Sequence, residues 1–292
     1  MRATGFVCWL FWSLFAGSSG AAVTVSDDRG QPITLPAAAE RIVSLAPHVT
    51  ELLFAVGAGA QIVGVSEYSD YPAAAKTLPR IASAGAIDYE TVVGLRPDLI
   101  VAWLSGNGRA GVERLEALGL TVFATEPRNI ASISRALRAL GTVSGHAVQG
   151  ERVAARFETQ IGVLRERYAG KRDVSVFYEI SARPLMTLNG AHMFTDVLRV
   201  CGGVNVFSDL RTLVSTVTTE AVLHRDAEVI MISSTIPNVE ATKAAWATLP
   251  EMEAARRGQI YIVDSDLLNR QTVRLADGAA MLCALLDQAR GP

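Results

Sequence analysis

Short runs rich in β-branched residues alternate with helix-period segments along this chain, twice over, and a single long amphipathic stretch divides the two series. In the first series residues 41–45, 61–65, 99–103 and 121–124 read as strands, and 47–56, 88–95 and 109–118 as helices. Brief buried runs separated by helices require a mostly parallel sheet covered on both faces. Residues 146–168 break the alternation. Val153, Phe157, Ile161, Leu164 and Tyr168 recur at helical spacing while Glu151, Arg152, Arg156, Glu158, Arg165, Glu166 and Arg167 take other faces. That is an amphipathic helix roughly 35 Å long, a strut rather than a crossover. Afterwards the alternation resumes, with strands at 174–180, 229–233 and 260–263 and helices at 193–200, 239–249 and 272–289. Asn238, after Pro237, is placed to cap the helix that follows it.

The expected architecture is therefore α/β: two mostly parallel-sheet lobes joined by one long helix, with a ligand cleft between them. Residues 22–145 form the first lobe, 146–170 the linking helix and 171–292 the second lobe. Ahead of them, residues 1–21 read as a secretory signal peptide. Arg2 supplies the positive start, 6–16 the apolar stretch, and Ser19-Gly20-Ala21 the small-residue cleavage site. An apolar stretch this short does not span a bilayer as a helix. A soluble protein beginning near Ala22, outside the cytoplasm, is the expectation.

Removal of the signal also removes Cys8, leaving Cys201 and Cys283. In an oxidising compartment the two are expected to be bonded, the alternative being two buried thiols. Closing a loop of roughly 80 residues is worth about 4–5 kcal/mol in the chain-entropy account. The net charge of −2 excludes a protein whose main partner is a nucleic-acid backbone.

The two halves echo each other. Residues 89–102 return as 219–232, each reading acidic residue, helix turn, acidic residue, buried strand, with Glu90 matched by Glu220 and Asp98 by Glu228. A matched pair of carboxylates, one per lobe, suits docking on a two-fold symmetric partner. Taken singly, each is a helix-start residue favoured by the helix dipole.

Catalytic signatures are sparse. His48, His146, His192 and His224 lack metal-ligand spacing and read as surface or capping residues; a nucleophile elbow, a phosphate loop and a CxxC pair are all absent. Gly106-Asn107-Gly108-Arg109-Ala110-Gly111 matches a dinucleotide fingerprint in outline, with Glu126 at the next strand end. The export signal and the extra length of Trp103-Leu104-Ser105 favour a glycine-rich loop entering a helix. An exported NAD-dependent oxidoreductase is the weaker alternative, so no enzyme activity is expected.

Recognition without catalysis suits the remaining features. Tyr68, Trp103, Asp266 and Arg270 follow strand ends, where open parallel sheets bind their ligands. Aromatic planes on one lobe would face a charged pair on the other. Tyr71, before Pro72, reads as a turn residue.

Four segments carry a resemblance: Arg41-Ile42-Val43-Ser44-Leu45-Ala46-Pro47-His48-Val49-Thr50-Glu51-Leu52-Leu53, Tyr68-Ser69-Asp70-Tyr71-Pro72, Leu95-Arg96-Pro97-Asp98 running on to Trp103, and Val197 through Cys201-Gly202-Gly203 to Phe207. Together the pattern resembles the periplasmic substrate-binding proteins for iron complexes and cobalamin, over essentially the whole mature chain, and within them is similar to members that feed a cobalamin ABC importer. The resemblance implies a corrinoid held between the lobes as a transported ligand, with no cofactor. Tyr68 and Trp103 would contact it from the first lobe, and Asp266, Leu267, Leu268, Asn269 and Arg270 from the second. It also puts Cys201 and Cys283 on the family disulfide, and Glu90 and Glu220 on the carboxylates that dock on the membrane permease dimer. A monomer is expected. The pattern departs at Ala84, Met186 and Val214, where further aromatics would line the cleft; Met186 takes such a ligand-facing place. Tyr68, Tyr178 and His192 are available as axial donors, so haem, or a ferric siderophore, stands as the alternative ligand.

Overall fold

The computed structural model describes residues 21–83 and 86–291. All but the last residue of the expected signal segment, and Ala84, lie outside the described residues. The chain opens with an antiparallel hairpin, β1 (Val23–Ser26) and β2 (Pro32–Leu35). It continues as β3 (Ile42–Ser44), α1 (Pro47–Ala55), β4 (Ile62–Ser66), β5 (Arg80–Ser83), β6 (Ala86–Ile87) and α2 (Tyr89–Gly94). Next come β7 (Leu99–Trp103), α3 (Leu104–Asn107), α4 (Arg109–Ala117), β8 (Val122–Thr125) and α5 (Ile130–Val143). The strand order is β6-β5-β4-β3-β7-β8, parallel except for β6. β7, Leu-Ile-Val-Ala-Trp, is buried over its first four residues because helices cover both faces of the sheet.

The strut is α6 (Ala147–Tyr168). Beyond it lie β9 (Val174–Glu179), β10 (Ser181–Ala182), β11 (Leu185–Leu188), α7 (Met193–Val200), β12 (Gly203–Asn205) and β13 (Val214–Thr216). The chain ends through α8 (Thr219–Arg225), β14 (Val229–Ser233), α9 (Val239–Ala247), α10 (Glu253–Arg256), β15 (Ile260–Val263), α11 (Ser265–Leu268) and α12 (Leu275–Arg290). A parallel sheet in the order β12-β9-β14-β15 forms the second lobe, beside an antiparallel sheet β10-β11-β13.

The strut does not stand free. Phe157, Ile161 and Tyr168 turn its apolar face inward as the spacing requires, with Gly150 and Ala154 completing it. It packs on α5 from the first lobe and on α7 and α12 from the second, so one apolar core runs through both lobes. The crossing with α5 is close because two glycines meet there: a Cβ on Gly141 would lie 2.9 Å from Gly150 Cα. Cys201 and Cys283 are bonded and tie the end of α7 to α12. Among the described residues no helix is long and apolar enough to cross a membrane.

The sequence echo has a structural counterpart. α2 and α8 are each capped by the residue before them, Asp88 accepting from Thr91 N–H and Thr218 from Ala221 N–H, and each leads into a buried parallel strand. Asp98 accepts from the backbone N–H groups of Glu40 and Arg41 beside β3, and Glu228 from Ser175 N–H in β9. Glu90 and Glu220 both sit exposed in the first turn of their helices.

Two expectations need correction, and one helix is additional. Asn238 occupies the position before α9 in a left-handed conformation (φ 54°), and its side chain makes no capping bond. The final helix starts at Leu275, after a turn, rather than at Thr272. α5 was not anticipated at all, although Asn129 and Ser132 form a capping box and Ile130, Ile133, Leu137 and Leu140 mark its buried face.

Candidate functional site

In each lobe the strand order reverses beside the first strand, between β3 and β7 and between β9 and β14, and the site residues lie at carboxyl ends of the parallel strands: Trp103 ends β7, Tyr68 follows β4 and Asp266–Arg270 follow β15. In the first lobe, Leu45, Pro47, Ser66, Tyr68, Trp103 and Gly106 line a cavity of about 180 Å³. Tyr68 and Trp103 thus share one wall.

Hydroxyl chemistry builds the turn that carries Tyr68. Ser44 Oγ and Thr50 Oγ1 lie 2.8 Å apart, Thr50 Oγ1 donates to Ser69 Oγ (3.0 Å), and Ser66 and Ser69 hydroxyls meet at 3.2 Å. Arg80 Nη1 donates to the carbonyls of Ser66 (3.1 Å) and Ser69 (2.8 Å). With both ends pinned, Tyr68 takes φ +63°, a costly value for an aromatic residue, and its side chain stands 69% exposed.

Trp103 is fixed from two sides. The His48 ring meets it at right angles with centroids 5.3 Å apart, and a Cβ on Gly106 would come within 2.0 Å of its Cε3 atom. Asn107 secures the following turn, accepting from Trp103 N–H (2.7 Å) and donating to Leu45 O (3.0 Å). The glycine-rich stretch expected as a loop entering a helix does lead into α4 at Arg109, but it begins within a helix. Residues 104–107 form α3, and Gly106 is small because an indole lies on it. Glu126, which a dinucleotide reading would place on a ribose, accepts from Ser105 N–H at 2.9 Å.

From the second lobe comes the 264–270 segment. Asp264 caps α11 by accepting from Asp266 N–H, and Ser265 joins the hydroxyls of Ser233 and Ser234 at the end of β14. Asn269 accepts from Tyr178 OH (3.3 Å). Asp266, Leu267, Asn269 and Arg270 are half-buried. Leu268, expected to face the ligand, is fully buried in the core and anchors the segment instead. Met186 is half-buried on β11 opposite Thr216.

The lobes meet through charge. Arg270 Nη1 reaches Glu51 Oε1 (3.1 Å) and Asp70 Oδ1 (2.6 Å), while its Nε reaches Asp266 (3.1 Å). Arg274 grips Glu51 with two bonds, 2.9 and 2.6 Å, and its guanidinium lies 4.1 Å over the Tyr71 ring. Tyr71 is therefore an inter-lobe contact as well as a turn residue. Desolvation opposes the charge on Arg270, but its bonds to Asp70 and Glu51 hold its pKa above the ordinary value. Bonding to Glu51 raises Arg274, and bonding to Arg270 lowers Asp70.

Sequence reasoning missed Glu51, Arg274 and His48. Glu51 and His48 are lone polar residues on α1, a helix whose other buried positions are mostly apolar, and that mismatch was the available signal. His48, expected at the surface, is only 3% exposed; burial first, and Arg270 second, push its pKa down to about 3. Of the three expected haem donors, Tyr68 stands exposed on the cavity wall and the other two are engaged elsewhere. Tyr178 is buried against Phe194, and His192 Nδ1 caps α7. Among the described residues no His, Cys, Asp and Glu cluster is arranged to hold a metal ion.

Known proteins are similar to this chain in sequence and in fold. The chain is 36% identical over 256 residues to the vitamin B12-binding protein of Vibrio cholerae serotype O1, covering 87% of this chain and 92% of the relative. It is 37% identical over 252 residues to the vitamin B12-binding protein of Yersinia pestis (strain Pestoides F), covering 86% and 88%. The crystal structure of the periplasmic vitamin B12 binding protein BtuF of Vibrio cholerae superposes with a TM-score of 0.81 at 35% identity, over 87% of this chain and 99% of that one. The periplasmic heme-binding protein RhuT from Roseiflexus sp. RS-1 shares the fold at a TM-score of 0.76 and 22% identity, over 86% and 99%. A profile of the periplasmic binding proteins matches residues 42–267, and the chain belongs to that family.

Proposed function

We propose that this protein captures cobalamin in the cleft between its lobes and delivers it, unaltered, to an ABC importer. The observation that carries the reading is that Arg270 of the second lobe reaches Asp70, two residues from Tyr68 on the aromatic wall of the first. Tyr68 and Trp103 present aromatic surface from one lobe, and the Asp266–Arg270 segment presents hydrogen-bonding charge from the other. Flat apolar area with a polar rim suits a large planar ligand edged with amides. The relatives named for vitamin B12 binding support the same ligand. In this reading the lobes span 22–145 and 171–292 about the 146–170 helix. Tyr68, Trp103, Asp266, Leu267, Asn269, Arg270 and Met186 serve the ligand, and Leu268 supports them from the core.

Glu90 and Glu220 dock on the two halves of the permease dimer, since their capped helices hold equivalent places in the two lobes. The protein works as a monomer in the periplasm, after loss of residues 1–21. Titration of the mature protein with cyanocobalamin tests the ligand, with submicromolar affinity expected. Absence of a binding signal beside tight haem or siderophore binding would replace cobalamin by that ligand. Converting Glu90 and Glu220 together to Ala should leave affinity intact and abolish transporter stimulation; undiminished transport would remove the docking role.

A further inference from the structure

Arg270 and Arg274 stand one helical turn apart in sequence and would repel each other, yet both converge on one carboxylate of the opposite lobe. The Glu51 side chain is only 2% exposed. Its Oε1 accepts from Arg270 Nη1 at 3.1 Å and from Arg274 Nη2 at 2.6 Å, and its Oε2 accepts from Arg274 Nε at 2.9 Å. The two-bond grip on Arg274 fixes direction as well as distance, and burial strengthens the attraction. The other charged groups here are more exposed. Asp70 and Asp266 hold Arg270 from the cleft side, Tyr71 carries Arg274 on its ring, and His48 is neutral.

We propose that Glu51 is a positioning residue that sets the width of the cleft. Its charge holds two like-charged guanidiniums of the second lobe against α1, and so fixes the distance from the Tyr68–Trp103 wall to the Asp266–Arg270 segment. Without that charge the attraction drawing both arginines to α1 is lost and the lobes stand further apart. The consequence for cobalamin rests on the ligand reading above: a wider cleft admits and releases the ligand faster.

Spin labels on cysteines placed at Glu113 in α4 and Glu240 in α9, both exposed, report the inter-lobe distance by pulsed EPR in the ligand-free protein. Cys201 and Cys283 are bonded to each other, and a chain made to begin at Ala22 leaves out Cys8, so the labels are specific. Glu51→Gln should lengthen the mean distance and at least double the width of its distribution. Arg274→Gln should do the same, and the double variant no more than either alone. Cyanocobalamin association and dissociation rates should each rise at least threefold in Glu51→Gln.

A residue needed only for folding would lower the melting temperature and leave the distances of the folded protein unchanged. Such a result, or additive effects of the two substitutions, overturns the proposal. Should Glu51→Gln fail to fold, Arg274→Gln decides by the same distances, an unchanged distribution again overturning it. If the unmodified protein does not bind cyanocobalamin, the ligand reading fails on its own, and the ligand-free distances still decide the role of Glu51.

Discussion

Acidification below pH 6.5 should weaken this protein through His48. Burial, followed by the positive charge of Arg270, holds the folded imidazole at a pKa of about 3. The unfolded chain binds that proton with the ordinary histidine value of about 6.5. A histidine depressed on folding contributes its full stability above pH 6.5 and loses it as pH falls toward the folded value. Between pH 6.5 and 4.5 the loss integrates to about 2 kcal/mol, with a slope approaching ~1.4 kcal/mol per pH unit. His192, lowered by burial to about 4, adds a loss of the same sign, so the comparison must be with a His48→Leu variant rather than with neutral pH alone. Asp70, lowered by Arg270, releases its share only below the usual aspartate range. Urea unfolding of both proteins at pH 6.5, 5.5 and 4.5 isolates His48. The variant carries a constant offset from the lost contact with Trp103, and the wild-type stability relative to it should fall by about 2 kcal/mol across the window. Parallel pH curves for the two proteins would refute the reasoning, as would an NMR titration placing His48 near pH 6.5 in the folded state.

Gly106→Ala puts a methyl where the indole lies, so cyanocobalamin affinity should drop about tenfold, or about 1.4 kcal/mol. The near-UV circular dichroism of the ligand-free protein should change with it, and an unaltered spectrum and affinity would show that Trp103 is not held there. Replacing both Cys201 and Cys283 by Ala opens a loop with a separation of 82 residues and should cost about 4 kcal/mol in urea unfolding, with a loss below about 1 kcal/mol contradicting the chain-entropy account.

Much of the site was legible because its parts are local. Tyr68 and Asp266 each follow, and Trp103 ends, a strand that its own composition announces, and parallel sheets present such positions at one edge. The echo between Glu90 and Glu220 was equally readable, since each belongs to a short capped helix leading into a buried strand. α5 was readable too, from its capping box and apolar spacing, and was passed over beside the longer helix. The Gly106 motif misled because glycine spacing shows where a side chain is missing but not what fills the space. Here it is the indole three residues earlier.

The amino-acid order alone determined the α/β alternation, the strut and the strand ends that carry Tyr68, Trp103 and Asp266, because periodicity and turn chemistry act over a few residues. Only the tertiary structure decided that Leu268 turns into the core, that Tyr71 lies under Arg274, and that Glu51 gathers two arginines more than 200 positions away. Ion pairing needs closeness in space, and that closeness comes from two lobes packing on one helix, which no local pattern encodes.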